Sequence, residues 1–415
     1  MRIHFSAVSL ALPRTLRFSD DMNDKALLLI IGPTPPPYHG VAVAVQTLLQ
    51  SRIVDRFRLS HLDLADRRGI QHVNKPDLHD VVLFCRQWIK LISILVRKRP
   101  EATYLVLSQS TVGFIRDSLL LWPAFLTRSR LVLHLHGGNF REWFLSRSWL
   151  MRTYVRAMLH RIDRIIVLGE SFRHIFDGLV DSQNVCVVPN GIDGQSSEKI
   201  MRGGSSTRYQ VLHLSTLSHL KGALVLLKAI PFVVRHRQDV EFIFAGPWSH
   251  EQDQRWAEAF IAQEDVSPYI RFTGQVDGVE KQALFETSHV FVFPGVQQEG
   301  QPLVVLEAMA AGLPVIYTDR GCLRETVGGR ECGLEVRVND AADLADRIVW
   351  LLDHQEDCNA MGLAGRKRQR QLFSRDEHVE KMIQVFEGVM RGGGKWQAPS
   401  TTTPPNTKHP QHKRV

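Results

Sequence analysis

Two glutamates stand eight residues apart in the stretch Glu299-Gly-Gln-Pro-Leu-Val-Val-Leu-Glu307, which follows the apolar run Val290–Phe293. Glu299 falls in a loop after a predicted strand. Glu307 falls on a predicted helix whose first residue is expected to be Pro302, a position that proline tolerates well. Free backbone N–H groups and the positive end of the dipole make a helix start an anion site. The spacing therefore predicts a phosphate site beside a carboxylate that can accept two hydroxyls, as a nucleotide sugar requires.

The continuation Glu307-Ala-Met-Ala-Ala-Gly312-Leu-Pro-Val315 makes this segment strongly resemble the two-glutamate signature of the family 4 glycosyltransferases. The alternative is an ordinary buried helix with two unrelated glutamates. The resemblance implies the α/β GT-B fold, in which two doubly wound parallel-sheet, Rossmann-like domains face a cleft. It also implies transfer with retention of the anomeric configuration from a UDP- or GDP-linked sugar, without a metal and without a cofactor.

The resemblance also implies roles for particular residues. Glu307 would hold the ribose hydroxyls of the donor, and Lys221 would neutralise its diphosphate. His136 would contact the donor sugar from the other half of the chain. Glu299 would hold that sugar together with the residues that follow it, namely Gly300, Gln301 and Leu303. The family commonly has Phe-Gly where this chain has Gln301-Pro302, so the geometry around the donor is less closely defined by the resemblance.

Lys221 and Gly222 open a predicted helix after the strand that ends near Ser215. They resemble the Lys-Gly element of the family, in which an ammonium offsets the charge that grows on a leaving diphosphate. The family often has an arginine five residues earlier, where this chain has Thr216. The sequence does not identify the cation that replaces this arginine, and a surface lysine is the alternative role for Lys221.

In the first half of the chain, Gly32-Pro-Thr-Pro-Pro-Pro-Tyr-His39-Gly40 is predicted to be a strand-to-helix loop. Gly40 permits a ligand to approach the backbone closely at the helix start. The loop resembles that of bacterial polysaccharide-assembly members of the family. His39 is expected either to touch a ligand or to shape the loop by a hydrogen bond.

Further along, His134 and His136 precede Gly137 and Gly138, and alternation along a strand places both histidines on the same side. His136 matches the His-Gly position of the family, whereas His134 is interpreted as a core residue.

Two turns complete the predicted cleft. Pro189-Asn-Gly-Ile-Asp193 matches the Pro-Asn-Gly-x-Asp turn that ends the first domain in the family, and is expected to serve as a hinge. Phe272-Thr-Gly274-Gln-Val276 resembles, less specifically, the loop whose backbone holds the edge of the nucleobase. Gly274 and Val276 are therefore donor-binding candidates.

Short apolar runs alternate with longer helical patterns in each half, which is typical of parallel sheets with crossover helices. A chain of 415 residues also suggests two domains. The last strand expected is Pro314–Thr318. The predicted organisation is an N-terminal extension (1–21), an acceptor-side domain (22–195), a linker (196–207), a nucleotide-sugar domain (208–373), a helix returning to the first domain (374–391) and a disordered tail (392–415).

Composition narrows the functional class. Five cysteines without a close pair argue against a disulfide framework or a zinc site and favour a reducing, cytoplasmic environment. No apolar run reaches the roughly 18 to 20 residues of a membrane-spanning helix.

Residues 1–195 carry 25 basic and 16 acidic residues, whereas residues 196–415 carry 26 and 27. A basic half without a recognition motif argues against nucleic acid and favours an anionic membrane or a phosphate-bearing acceptor. The basic helical stretch Arg86–Arg99 can lie in a membrane surface or simply pack on the sheet with solvated charges, and the sequence leaves both open.

The sequence thus predicts a glycosyltransferase of the hexosyltransferase type in cell-surface polysaccharide or glycolipid assembly. Its expected partners are a nucleotide sugar and a sugar, polyprenyl-linked or lipid-linked acceptor, at the inner face of the plasma membrane. Two rivals remain, namely a sugar-nucleotide epimerase of the same architecture and a catalytically silent nucleotide-sugar-binding subunit. The donor base and sugar, the linkage, the oligomeric state and the status of residues 1–21 remain open.

Overall fold

The computed structural model describes residues 25–67, 78–194 and 208–392. The expectations for 1–21, for the linker 196–207 and for the tail beyond residue 392 fall outside these ranges. The described residues form two sheets of six strands each, and every strand pair within them is parallel. The predicted α/β class with two doubly wound sheets is therefore confirmed.

Apart from the half-buried edge strand Arg58–Asp63, the first sheet is built from apolar runs that lie almost wholly in the interior, as parallel strands covered on both faces must. Its strand order is β2-β1-β3-β4-β5-β6. The strands are β1 (Leu27–Gly32), β2 (Arg58–Asp63), β3 (Ala102–Val106), β4 (Arg130–His134), β5 (Arg164–Val167) and β6 (Val185–Val187). The helices are α1 (Gly40–Leu49), α2 (Leu78–Lys98), α3 (Thr111–Leu126), α4 (Phe140–Leu145) and α5 (Trp149–Leu159), with short 3-10 helices at Arg52–Asp55, Glu170–Phe176 and Ser182–Asn184.

The second sheet has the strand order β12-β11-β10-β7-β8-β9. Its strands are β7 (Tyr209–Leu214), β8 (Val240–Ala245), β9 (Ile270–Gly274), β10 (Val290–Phe293), β11 (Val315–Thr318) and β12 (Gly333–Val336). Its helices are α6 (Ala223–Val234), α7 (Glu251–Glu264), α8 (Gly278–Thr287), α9 (Leu303–Ala310), α10 (Leu323–Val327), α11 (Ala341–Asp353) and α12 (Gln355–Leu372), with short 3-10 helices at Ser267–Tyr269 and Gly329–Glu331.

The first sheet is covered differently on its two faces. Helices α2, α3, α4 and α5 pack on one face through residues such as Leu91, Phe114 and Val155. The other face is covered by α1 and by the final helix α13 (Arg375–Met390), through residues such as Val45 and Phe386. Helix α13 thus follows the second sheet in sequence but completes the core of the first.

Helix α13 begins where the two lobes meet. Ser374 is its N-cap and accepts a hydrogen bond from the backbone N–H of Glu377 at 3.2 Å. In the next turn, His378 Nδ1 lies 2.7 Å from the carbonyl oxygen of Pro189, in the turn that was predicted to be a hinge. Arg375 pairs with Asp193 of the same turn at 3.1 Å. The second crossing between the lobes is therefore anchored beside the first.

Three local expectations need correction. The sequence pattern predicts a single helix over 143–160, but the chain forms α4 and α5 there, because Ser148 caps a new start at α5. The pattern also predicts a helix over 171–179, where the chain forms the 3-10 helix Glu170–Phe176. Pro302 is the N-cap of α9, with φ −63° and ψ 123°, and Leu303 is the first helical residue.

Candidate active site

The predicted cleft lies at the carboxyl ends of both sheets, where open α/β sheets bind ligands at the point of strand-order reversal. In the second sheet this point lies between β7 and β10, which are neighbours with β8 and β11 on their outer sides. Lys221 follows β7 and Glu299 follows β10. The topology thus brings together two groups that are 78 residues apart in sequence.

Lys221 and Glu299 form an ion pair inside the cleft. The ammonium donates to both carboxylate oxygens, at 2.8 and 2.7 Å, and Gln297 Nε2 donates to the same carboxylate at 2.9 Å. The side chain of Glu299 is 8% exposed and that of Lys221 is 29% exposed. Lys221 therefore points at the buried loop after β10 rather than into bulk solvent.

The glycine after Lys221 has a steric reason. Gly222 has φ +88°, and a Cβ at this position would lie 2.2 Å from the carbonyl oxygen of Pro294. Only glycine allows the start of α6 to pack this closely on the loop after β10. Thr216, which stands where the family often has arginine, is exposed at the end of β7.

Glu307 lies in the second turn of α9 and pairs with Lys281 of α8, whose Nζ is 2.6 Å from Oε1. Oε2 is buried and has no hydrogen-bond partner. Burial raises the pKa of Glu307, and the neighbouring Lys281 ammonium opposes that rise. A buried carboxylate oxygen without a partner is costly unless a ligand satisfies it.

Glu307 also lines a cavity of about 260 Å³ between the two lobes. Leu303 at the start of α9 is part of the same wall. The opposite walls come from α1, the hinge turn and α13, through Val43, Ala44, Thr47, Asn190, Gly191, Ile192, Asp193, Arg375 and His378. The carboxylate predicted to hold a ribose thus faces an interlobe space.

Gly300 and His136 bring the two lobes into backbone contact. A Cβ at position 300 would lie 1.9 Å from the carbonyl oxygen of His136, so no larger residue fits there without moving the lobes apart. Gly321, with φ +65°, approaches the same loop from β11, and its Cβ would lie 1.7 Å from the carbonyl oxygen of Glu299. Two glycines therefore hold the loop after β10 between β4 and β11.

His136 stacks on His134, with ring centroids 3.9 Å apart, as predicted from their alternation along the strand. His134 Nδ1 is in turn hydrogen-bonded to the hydroxyl of Tyr104 at 2.8 Å. Burial lowers the pKa of His136 to about 3, with smaller contributions from His378 and His39. His136 is therefore neutral near pH 7, and its buried Nε2 has no hydrogen-bond partner.

Gln301 links the two lobes by hydrogen bonds. Its Oε1 accepts from the backbone N–H of Asn190 at 2.6 Å, and its carbonyl oxygen accepts from Asn190 Nδ2 at 3.0 Å. Its Nε2 donates to Thr326 at 3.2 Å. The side chain of Gln301, predicted to bind the donor, is thus engaged with the hinge turn and with Thr326 of α10.

The remaining candidates lie at the rim of the cleft. His39 is the N-cap of α1, with Nδ1 accepting from the backbone N–H of Ala42 at 3.3 Å, so it shapes the loop. A Cβ on Gly40 would meet nothing within 4 Å, so packing does not explain this glycine. Gly274, with φ +71°, is exposed at the end of β9, and Val276 packs partly on the core.

Three cleft residues were missed by sequence analysis. Lys281 holds Glu307. Gln109 accepts from the backbone N–H of Asn139 at 2.8 Å and fills the space that a Cβ on Gly137 would need. Glu325 of α10 accepts from the backbone N–H groups of Glu170 and Ser171 in the first lobe, at 2.8 and 3.0 Å. None belongs to a local pattern, because each acts on a segment distant in sequence.

Within the described ranges, no cluster of three or more histidine, cysteine, aspartate or glutamate side chains is arranged to hold a metal ion. No described helix combines the length and the apolar character needed to cross a bilayer. All five cysteines are free thiols.

Comparisons with known proteins agree with this architecture. The sequence model of the glycosyl transferases group 1 family matches residues 197–368. The phosphatidyl-myo-inositol mannosyltransferase of Mycobacterium leprae is 32% identical over 287 residues, covering 68% of this chain and 74% of its own. The protein of the same name from Mycolicibacterium smegmatis is 29% identical, and this chain spans about half its length, 53%. The structure of Anabaena HepE in complex with UDP has a TM-score of 0.68 at 16% identity, covering 88% of this chain and 100% of that one.

The two facing Rossmann-like lobes define the GT-B class of glycosyltransferases. Within that class, the chain belongs to the glycosyl transferases group 1 family. The predicted family and enzyme class are confirmed. The roles assigned to individual site residues stay predictions.

Proposed function

We propose that this glycosyltransferase moves a hexose from a UDP- or GDP-linked donor to a hydroxyl of a lipid-linked or polyprenyl-linked acceptor, with retention of the anomeric configuration. The observation that carries the proposal is the pair of carboxylate–lysine contacts beside the reversal point of the second sheet. One contact offers a cation for a diphosphate, and the other offers a partly unsatisfied carboxylate for a ribose diol. Together they match the two halves of a nucleotide.

The Lys221–Glu299 ion pair would open when the donor binds, whereas the Lys281–Glu307 pair would stay. Lys221 would turn from Glu299 to the diphosphate, and Glu299 would accept hydroxyls of the donor sugar. Glu307 would use its free Oε2 for the ribose while Lys281 keeps Oε1. Each charged group would keep a hydrogen-bonding partner after this change, which limits the cost of desolvation.

The chemical step follows from this placement. The bond between the anomeric carbon and the diphosphate oxygen breaks while the acceptor oxygen bonds to the same face of that carbon. The acceptor proton passes to a phosphate oxygen of the leaving group. Neutral His136 would hold a sugar hydroxyl from the first lobe. The protein thus supplies positioning and charge stabilisation, and lysine ammonium groups take the place of a divalent metal.

The relatives guide the choice of substrates. Two of them are named phosphatidyl-myo-inositol mannosyltransferases, which favours mannose as the sugar and a glycolipid as the acceptor. The bound nucleotide in HepE is UDP, so uracil and guanine both remain candidate bases. Free thiols throughout the chain agree with a site at the cytoplasmic face of the membrane.

A ligand panel followed by product analysis tests the proposal. UDP, GDP and their sugars are screened for a rise in thermal midpoint, because a ligand that binds only the folded state stabilises it. The stabilising donor is then incubated with membrane lipid extract in EDTA, and the product anomer is determined by NMR. We expect a glycolipid with the donor's anomeric configuration, at an unchanged rate in EDTA.

Other products would replace the proposal with a specific rival. Release of an isomerised sugar without any acceptor would identify an epimerase. Nucleotide binding without turnover, across donors and acceptors, would identify a silent binding subunit. A product of inverted configuration would contradict the proposed same-face displacement.

A further inference from the structure

Helix α3 is apolar on its outer side as well as on its inner side. Phe114 and Leu121 face the core of the first lobe. The outward stripe repeats at intervals of three and four residues and runs about 21 Å along the helix, at about 1.5 Å per residue. Two of its members, Val112 and Leu126, are 71% and 81% exposed. The stripe comprises Val112, Ile115, Leu119, Trp122 and Leu126.

Helix α2 lies beside α3 and adds a second exposed stripe. Trp88 Nε1 donates to the carbonyl oxygen of Leu119 at 3.1 Å, which joins the two helices. Val82, Ile89 and Val96 recur every seven residues and are exposed. Basic side chains lie between them on the same side, namely Arg86, Lys90 and Arg97.

The turn between α4 and α5 extends the apolar surface to the edge of the cleft. Leu145, Trp149 and Leu150 are exposed there. Arg147 Nη1 and Trp143 Nε1 both lie 3.3 Å from Thr111 Oγ1 at the start of α3, which fixes this turn to the stripe. Since α3 starts at the carboxyl edge of the first sheet, this end of the surface is next to the proposed acceptor side.

The outer surface of α2, α3 and the α4–α5 turn, called the helical face below, belongs to a strongly basic stretch of the chain. Residues 78–161 contain 13 lysines and arginines and four acidic residues. This surplus equals that of the whole first half of the chain. Arg161 lies over the ring of Trp122, 5.3 Å from its centroid, so charge and aromatic surface are in direct contact.

We propose that the helical face docks on an anionic lipid bilayer, with the α3 stripe and the α4–α5 turn entering the interface and the basic side chains contacting lipid headgroups. Monomeric proteins rarely expose an apolar surface of this extent without a partner. Interleaved cations and tryptophans suit an anionic interface. A symmetric dimer through the same face would instead bring two sets of exposed basic side chains together, among them Arg86, Lys90 and Arg97.

This inference rests on the proposed lipid-linked acceptor and adds the surface that delivers it. With the helical face on the bilayer, Trp149 and Val112 lie at the lipid surface beside the cleft opening. An acceptor headgroup then reaches the site without leaving the membrane.

Vesicle co-sedimentation of the full chain tests the inference, with vesicles of phosphatidylcholine alone or with 30% phosphatidylglycerol added (about a third anionic lipid, as for a charged leaflet). The stripe variant combines Val112→Ser, Leu119→Ser and Leu126→Ser. Its control combines Phe232→Ser, Val279→Ser and Leu363→Ser, which are exposed apolar residues of the second lobe. A charge variant combines Arg86→Gln, Lys90→Gln and Arg97→Gln.

We expect binding to the anionic vesicles only, weakened about tenfold or more in the stripe and charge variants and unchanged in the control. Equal binding by the stripe variant and its control, or no binding by the wild type, would overturn the inference. Concentration-dependent dimerisation that the stripe variant abolishes would assign the face to a second copy instead.

Thermal stabilisation by the donor nucleotide and transfer to a detergent-solubilised acceptor are measured on the same preparations. If both persist while vesicle binding fails, the docking surface is wrong and the proposed function stands. If vesicle binding holds but no transfer occurs, the proposed function is wrong and the docking surface stands.

Discussion

The two lobes share an architecture but differ in strand order. In the second lobe, renumbering its strands from one gives the order 3-2-1-4-5-6 of classic dinucleotide-binding sheets, whereas the first lobe has 2-1-3-4-5-6. The reversal point of the second lobe carries Lys221 and Glu299, both charged. The corresponding loop of the first lobe, after β1, carries a stiff proline run ending in His39 and Gly40. The second lobe thus presents charged side chains to a ligand, whereas the first lobe presents a stiff loop.

The outer surfaces of the two lobes differ as well, and here the first lobe has the distinctive one. In the described part of the second lobe, six large apolar side chains are exposed, and they lie on six separate segments. In the first lobe the exposed apolar residues form continuous stripes on neighbouring helices. The lobe with the charged interior site has an ordinary exterior, whereas the lobe with the neutral site carries the basic, apolar exterior. This division is what an enzyme needs when one substrate is a water-soluble anion and the other is anchored in lipid.

The largest expected effect tests the donor contacts of the second lobe. Glu307→Gln and Lys221→Ala should each reduce kcat/KM for the donor by roughly 10- to 100-fold, because each removes a charge-assisted hydrogen bond worth about 1.5–3 kcal/mol. Steady-state kinetics at varied donor concentration measure the loss. Glu264→Gln and Lys367→Ala, both exposed in the same lobe, are the matched controls. Unchanged kinetics in both test variants would end the assignment.

A second effect concerns the first lobe, where the partly buried side chain of His136 is neutral. Its pKa is lowered to about 3, so below about pH 6.5 the unfolded chain binds a proton that the folded chain does not. Stability should therefore fall with pH, by about 2 kcal/mol from this histidine between pH 7 and 5. Denaturant unfolding of His136→Gln at both pH values should show a correspondingly smaller loss.

The control for this measurement is His250→Gln, which alters an exposed histidine of the second lobe. It should leave the pH dependence as in the wild type. Identical slopes for His136→Gln and the wild type would show that the stacked ring takes up its proton in the folded state.

The smallest effect concerns the contact between the lobes. Glu325→Gln should weaken the two hydrogen bonds from Glu170 and Ser171 by about 1 kcal/mol. Amide hydrogen exchange of the segment 170–176 should then quicken about fivefold. Glu335→Gln, which removes a charge partner of Arg324 within the second lobe, should leave this segment unchanged. Equal exchange in both variants would mean that the contact of Glu325 with Glu170 and Ser171 does not hold the lobes together.

Local patterns sufficed for most of the fold, because strands buried on both faces appear as apolar runs whatever their neighbours are. Local patterns did not yield the strand and helices between Thr318 and Ser374. Strand β12 has only four residues, with the exposed Glu335 in its middle, so neither alternation nor a continuous apolar run marks it. Helix α11 has an apolar stripe with Leu344, Ile348 and Leu351 that periodicity could have identified, whereas α12 is a polar stretch that packs against α9.

The site shows the same limit. Glu299 and Lys221 were found because each follows a strand and precedes a helix, and Glu307 because it stands eight residues after Glu299 in a signature that resembles the family's. Lys281 lies on the mostly exposed helix α8, which has no clear apolar face, and only the fold brings it to Glu307. Gln301 was assigned to the donor from its place in the signature, but its side chain bonds to Asn190, 111 residues away. Contacts between residues so far apart in sequence cannot be predicted from a local pattern.

The contact of Gly300 with the His136 carbonyl has a mechanical consequence. Because two main chains touch there without an intervening side chain, that spot acts as a fulcrum deep in the crevice. A rotation of a few degrees about this contact moves nearby atoms little. It moves the rims of the cleft much further, because they lie far from the axis of rotation. The same rotation can therefore open the cleft to a large substrate and close it around the reacting carbon.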